Sequence, residues 1–298
     1  MLEDIDTPEP WRTTFAELKE NSGTTIILGA SDTGKTTFCR WLAEELSRAG
    51  RKVAWVDGDI GQSTIGPPTT IGMAIFQKDS QSPFEEAKPL FMRFVGSTSP
   101  AGHLLQTLVA TKKMVDKSFQ LEADFVIVDT TGLVAGDMGR ELKFQKVDLI
   151  GPIYILALER TDELEEILAP HLNRSQITVH RLPVSSKVTP KSVAERQRNR
   201  ESRFNSYFQD GRIRELSFKD MGLHGMVPEL SRKREVEGLL IGLCDQQNDT
   251  LALGIIEDTD LERKLLSIYT PLQDLGEVRS IQFGSIRLNS EGKELGKV

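Results

Sequence analysis

Gly29, Gly34, Lys35 and Thr36 meet the spacing G-x-x-x-x-G-K-[ST] inside the stretch TTIILGASDTGKTTFCRW. That spacing can grip phosphate. The two glycines let the backbone curl so that successive N–H groups point inward at phosphate oxygens, and a helix opening at Lys35 adds its positive dipole end. The nucleotide-binding segment is therefore expected over Gly29, Ala30, Ser31, Asp32, Thr33, Gly34, Lys35, Thr36 and Thr37, with Lys35 on the β- and γ-phosphates and the Thr36 hydroxyl on Mg²⁺. Three further groups can act on a γ-phosphate. Asp57 and Asp59 follow a β-branched run and could organise Mg²⁺ and deprotonate an attacking hydroxyl; the plainer reading is a pair of loop-capping aspartates. Asp129 ends a second apolar run in the position of a Walker B acid, before the turn Thr130-Thr131-Gly132. Arg196, Arg200 and Arg203, at i, i+4 and i+7, make a basic stripe able to close over phosphates as an arginine finger does in cis, since two adjacent arginines repel unless an anion lies between them.

These side chains need elements to hold them. Thr24 to Leu28 predicts a strand before the loop, and the helix after it should run to Arg48, with Gly50 as its stop. Strands are expected at Lys52 to Val56, Phe91 to Val95, Phe125 to Val128, Pro152 to Leu158 and, weaker, Ile177 to Val179. Helices are expected over Gly102 to Phe119 and Asp162 to Leu168, and a short one around Trp11, Phe15 and Leu18; residues 77 to 90 read as a polar loop. Strands alternating with helices specify an α/β fold, a doubly wound and mostly parallel sheet of the P-loop NTPase kind, whose strand ends face the ligand crevice. Residues 189 to 208 predict a basic helix capped by Thr189 with Pro190 in its first turn. From Glu235 short β runs take over. The expected organisation is an extension at 1–23, a P-loop domain at 24–234 and a small β-rich domain at 235–298.

Composition narrows the classes. The 298 residues carry a net charge of −7, so nucleic acid would have to be held by a local basic site and not by the protein's overall field. No stretch approaches the roughly 18 apolar residues of a membrane span, and the acidic start MLEDIDTPEPWRTTF is not a signal peptide, so the cytoplasm is the expected location. Cys39 and Cys244 are too far apart in sequence to suggest a framework, and His103, His171, His180 and His224 lack metal-ligand spacing.

With these residues in view, the chain resembles the polynucleotide 5′-hydroxyl kinase family of RNA processing, over roughly residues 24 to 290. The resemblance rests on Asp32 within GASDTGKTT, two places before the final glycine, followed about two dozen residues later by DGDIGQ. It implies Asp59 as general base and Mg²⁺ organiser, with Gln62 near the metal and phosphates. It also implies metal contacts from Thr36 and Asp129, and a clasp at about 96–103 in which Thr98, Ser99 and Pro100 hold the 5′ end of the nucleic acid. A lid at about 189–208 would close with Tyr207 and Phe208 and bring Arg196 and Arg200 over the γ-phosphate. The implied activity is transfer of the γ-phosphate of ATP to a 5′-hydroxyl of RNA, with DNA as the alternative acceptor, by Lys35, Asp59, Arg196 and Arg200. Two departures stand out. About two dozen residues precede the loop where eukaryotic members carry a sizeable N-terminal β domain, and DTTGL stands where members often read NTxGW, so a minimal, prokaryotic version is expected. The competing readings are a nucleotide-dependent switch or assembly ATPase sensing through Asp129 to Gly132, and a catalytically weak ATP-binding scaffold. A GTPase would need an Asn-Lys-x-Asp guanine reader, and the sequence has none.

Overall fold

The computed structural model describes residues 5–78 and 88–297, so most of the expected polar loop at 77–90 lies outside the described residues. The chain forms two compact units. The first gathers residues 1–59, 71–90 and 104–191; the second gathers 60–70, 91–103 and 192–298, and so draws in two stretches from well before residue 235.

In the first unit, helix α1 (Glu9–Leu18) leads into strand β1 (Gly23–Gly29), helix α2 (Lys35–Arg48), strand β2 (Val53–Gly58) and strand β3 (Thr70–Phe76). After strand β4 (Phe91–Phe94), which groups with the second unit, come helix α3 (Leu104–Gln120), strand β5 (Phe125–Thr130), helix α4 (Gly136–Ile150), strand β6 (Tyr154–Glu159), the single turn α5 (Glu165–Leu168) and strand β7 (Thr178–Pro183). Within this unit the strand order is β3-β2-β5-β1-β6-β7, parallel except for the antiparallel β2–β3 pair. Strands β1, β2, β5 and β6 are apolar almost throughout because helices cover both faces of such a sheet. Helix α1 is fixed by Trp11, whose ring meets Phe38 edge-on at 4.7 Å and whose Nε1 donates to the Pro183 carbonyl at 3.1 Å. Helix α4 and strand β3 fall in stretches where no element was expected.

In the second unit, helix α6 (Val193–Phe208) is followed by strands β8 (Arg212–Ser217), β9 (Gly222–Gly225), β10 (Leu239–Cys244), β11 (Thr250–Asp260), β12 (Leu265–Thr270), β13 (Ser280–Leu288) and β14 (Glu294–Lys297). The sheet order is β14-β13-β10-β11-β12-β8, with β9 parallel to β13. Helix α6 begins later than Thr189. Ser192 is its cap, accepting from the Glu195 N–H at 3.2 Å while Glu195 Oε2 accepts from the Ser192 N–H at 2.6 Å. This reciprocal capping box satisfies two otherwise orphaned donors, which a Thr189 start with Pro190 inside would not do. At its other end Phe204 and Phe208 are buried against Phe94, Leu240, Leu253 and Ile286, and the Tyr207 hydroxyl accepts from the Leu253 N–H at 2.9 Å. The Tyr-Phe pair expected to close a lid is thus an anchor: it ties the end of α6 into the core of the second unit.

Candidate functional site

The phosphate loop forms at the carboxyl end of β1. Gly34 takes a left-handed conformation, φ 79°, as it opens α2, and Asp32 is also left-handed at φ 57°, which a short polar side chain tolerates. Gly29 cannot be replaced without distortion: a Cβ there would lie 2.5 Å from Thr33 Oγ1 and 2.7 Å from the Leu158 carbonyl. The Lys35 side chain folds back so that Nζ donates to the Ala30 carbonyl at 2.7 Å. Burial pushes its ammonium below the usual range, and Asp129 and Asp59 oppose that shift.

Parallel pairing of β2 with β5 sets Asp57 opposite Asp129 and Gly58 opposite Thr130, so the acids end neighbouring strands on the loop's side of the sheet. Asp129 is fully buried. Its Oδ2 accepts from the Thr36 hydroxyl at 2.7 Å and its Oδ1 from the Thr130 N–H at 2.8 Å. Burial raises its pKa, with Lys35 pulling the other way. Asp57 is buried and accepts from the Asp59 N–H at 3.1 Å, so the loop-capping role holds for Asp57, and its effect is to fix the backbone of the half-buried Asp59. The turn after Asp129 presses on the loop: a Cβ at Gly132 would come within 2.7 Å of the Ser31 backbone.

Sequence reasoning missed two residues here. Lys143 and Lys146, on α4, are both fully buried. Lys143 Nζ donates to the Thr131 carbonyl at 2.5 Å, fixing the turn beside the loop, and its pKa falls far below the usual value through burial, Lys146 and Lys35. Their signal was two lysines three apart, which on a helix share one face. A cleft of about 360 Å³ also opens at the ends of β6 and β7, lined by Glu159, Arg160, Pro183, Ser185 and Val188. It adjoins the loop: Arg160 donates to the Asp32 carbonyl, and a Cβ at Gly34 would lie 3.1 Å from Val188. In its wall Glu159 Oε1 accepts from Arg181 at 2.8 Å, while the buried Oε2 has no hydrogen-bond partner among the described residues.

The remaining expected residues belong to the second unit. Gln62 Nε2 donates to the Gly61 carbonyl at 2.8 Å and to the Arg196 carbonyl at 3.1 Å. Arg203 donates to the Thr64 carbonyl at 3.1 Å, and Arg200 makes a two-pronged ion pair with Glu294 at 2.6 and 3.2 Å. The Arg196–Arg200 repulsion therefore needs no bound anion to relieve it, because Glu294 supplies the negative charge. In the expected clasp, Ser97 Oγ accepts from the Ser99 N–H and Ser99 Oγ from the Ala101 N–H, a run of serine turns, with Thr98 and Ser99 half-buried and Pro100 buried.

Residues 29–210 match the family described as mRNA cleavage and polyadenylation factor CLP1 P-loop. The chain belongs to this family. It is 33% identical to the polyribonucleotide 5′-hydroxyl-kinase of Methanocaldococcus jannaschii, over 91% of this chain and 88% of that protein. The enzyme of the same name from Pyrococcus furiosus is 32% identical over 91% and 89%. A solved structure titled as a wild-type Clp1p–Pcf11p complex shares the fold, with a TM-score of 0.71 and 15% identity over 93% of this chain and 78% of that one. Like its family this is a P-loop protein with an ATP-type nucleotide site. Among the described residues no helix is long and apolar enough to cross a membrane.

Proposed function

We propose that this protein is an ATP-dependent polynucleotide 5′-hydroxyl kinase acting on RNA, with DNA as the alternative acceptor. The observation that carries this reading is the register that ends β2 and β5 in Asp57 and Asp129, beside a phosphate loop whose Thr36 is bonded to Asp129, with Asp59 oriented and half-buried next to them. A switch needs a sensor for the γ-phosphate; it does not need a second, accessible carboxylate able to take a proton.

The oxygen donors fit Mg²⁺, which takes one or two carboxylates or hydroxyls and keeps several waters. Thr36 and Asp129 would hold it, with Asp59 and Gln62 as the further candidates, and when bound it neutralises charge on the β- and γ-phosphate oxygens. Loop amides and Lys35 cradle the phosphates of ATP. Asp59 accepts the proton of the attacking 5′-hydroxyl. Thr98, Ser99 and Pro100 are assigned to the nucleic-acid 5′ end, and Arg196 and Arg200 to the charge of the migrating phosphoryl. The nucleobase is assigned to the cleft beside the loop, where a turn of the Glu159 side chain would offer its buried Oε2, unpartnered among the described residues, to an amino hydrogen. The cytoplasm is the proposed location.

Incubation with γ-labelled ATP and a 5′-hydroxyl oligonucleotide should label the oligonucleotide. Absence of transfer to both RNA and DNA, with slow turnover and nucleotide retained through purification, would replace the kinase by the scaffold reading.

A further inference from the structure

Of the two lysines buried on α4, Lys143 is accounted for by its bond to the Thr131 carbonyl. Lys146 is not. Its Nζ is sealed from solvent and has no hydrogen-bond partner among the described residues. Leaving an ammonium in that state costs several kcal/mol unless neighbouring charge offsets it.

The offset comes from three acids: Asp59 first, then Asp129, then Asp57. The geometry is close. Gly58 lies between Asp57 and Asp59 in sequence and opposite Thr130 in the sheet, and a Cβ on it would come 3.4 Å from Lys146 Nζ and 2.6 Å from the Asp129 carbonyl. The missing side chain at Gly58 leaves room for the ammonium beside the strand ends that carry the acids. Burial lowers the pKa of Lys146 to about 8, and the three acids oppose that fall by favouring its charged form. Asp59 and Asp129 act electrostatically on Lys35, Lys143 and Lys146 alike, and Asp57 acts on Lys146.

We propose that Lys146 is a positioning residue, a fixed internal cation that offsets the three aspartates, limits how strongly they draw in a divalent cation, and so leaves Asp59 available to the acceptor hydroxyl. Its effect on transfer rests on the kinase reading, whereas its effect on metal affinity does not. The sign is unusual: removing a helpful residue should tighten metal binding. A packing role alone would leave metal affinity unchanged or weaken it.

The test uses the full chain with Lys146→Met, similar in length but uncharged, and Lys146→Arg. Mn²⁺ binding in the presence of saturating ADP is read by electron paramagnetic resonance, and kcat and KM by oligonucleotide labelling. For Lys146→Met we expect Mn²⁺ to bind about tenfold more tightly and kcat to fall about 10- to 100-fold, the range seen when groups behind a metal site are removed, with KM for ATP changed less than about threefold. Lys146→Arg should recover part of both. If Lys146→Met does not melt cooperatively, the double variant Asp57→Asn with Lys146→Met restores the charge balance, and its Mn²⁺ affinity should return to within about threefold of wild type. Unchanged or weaker Mn²⁺ binding in folded Lys146→Met, unchanged kcat, or a double variant that stays tight would each overturn the proposal. If the wild-type protein transfers no phosphate, the kinase reading fails while the Mn²⁺ comparison still decides the role of Lys146.

Discussion

At Asp59 two requirements meet in one side chain: it must stay accessible to an incoming hydroxyl, and it must point reproducibly. Half-burial meets the first, and the hydrogen bond from the Asp59 N–H to Asp57 Oδ1 serves the second by fixing the backbone from which the side chain projects. Asp59→Asn keeps the shape and removes the basic oxygen, so transfer should fall by about 10²- to 10⁴-fold, the usual worth of a positioned base. Affinity for a fluorescent ADP analogue should stay within a factor of a few; a loss of ADP binding matching the loss of rate would make Asp59 a nucleotide ligand instead. Glu159 poses a different question. Its Oε1 is held by Arg181 and its Oε2 is buried without a hydrogen-bond partner among the described residues, so a small turn of the carboxylate would present that oxygen to the cleft the residue lines. Glu159→Ala should raise KM for ATP about tenfold while leaving kcat at saturation nearly unchanged, as loss of one charge-assisted hydrogen bond of roughly 1.5 kcal/mol predicts. The same penalty for purine riboside triphosphate, which lacks the amino group, would count against the assignment.

Among the elements, helix α6 shows how a local signal decides a boundary. Ser192 and Glu195 satisfy each other's backbone partner, and Ser192→Ala should weaken the helix start by about 1 kcal/mol, read as a lowered melting temperature and faster hydrogen exchange over 193–197. An unchanged exchange pattern would mean that burial of Phe204 and Phe208 alone holds the helix. The same contrast explains what could be read in the sequence. Strands β1, β2, β5 and β10 to β13 announce themselves because they are buried apolar runs with turn residues between them, and the loop with DGDIGQ marked the phosphate end of the sheet. Helix α4 was invisible for a physical reason: the face it buries includes Lys143 and Lys146, so a pattern search takes its inner side for the solvent side. Strand β8 was missed because an edge strand reading RIRELS buries only Leu216, and β3 because the prolines and glycines before it suggested continued loop.

Over the whole molecule, the partition into units follows spatial neighbourhood and not chain order. Residues 60–70 and 91–103 join the second unit through contacts distant in sequence, such as Ser285 N–H to the Gly96 carbonyl at 2.8 Å and Arg93 to the Asn248 carbonyl at 3.1 Å. No periodicity in a single segment reports such pairings. The partition gives Arg200 two possible duties, since it is proposed to serve the migrating phosphoryl yet is paired with Glu294 on β14 of its own unit. Both side chains are about four-fifths buried, so breaking the pair should cost between the ~1 kcal/mol of an exposed ion pair and the ~3–5 kcal/mol of a fully buried one. A charge swap separates the duties. Arg200→Glu alone should lower the melting temperature and abolish transfer; adding Glu294→Arg should restore most of the melting temperature, because the pair is re-formed with its ends exchanged. If Arg200 only anchors β14, transfer should return along with stability. If its guanidinium must reach phosphate, transfer should stay at least about 100-fold down in the stable double variant, because the cation now projects from β14 and not from α6.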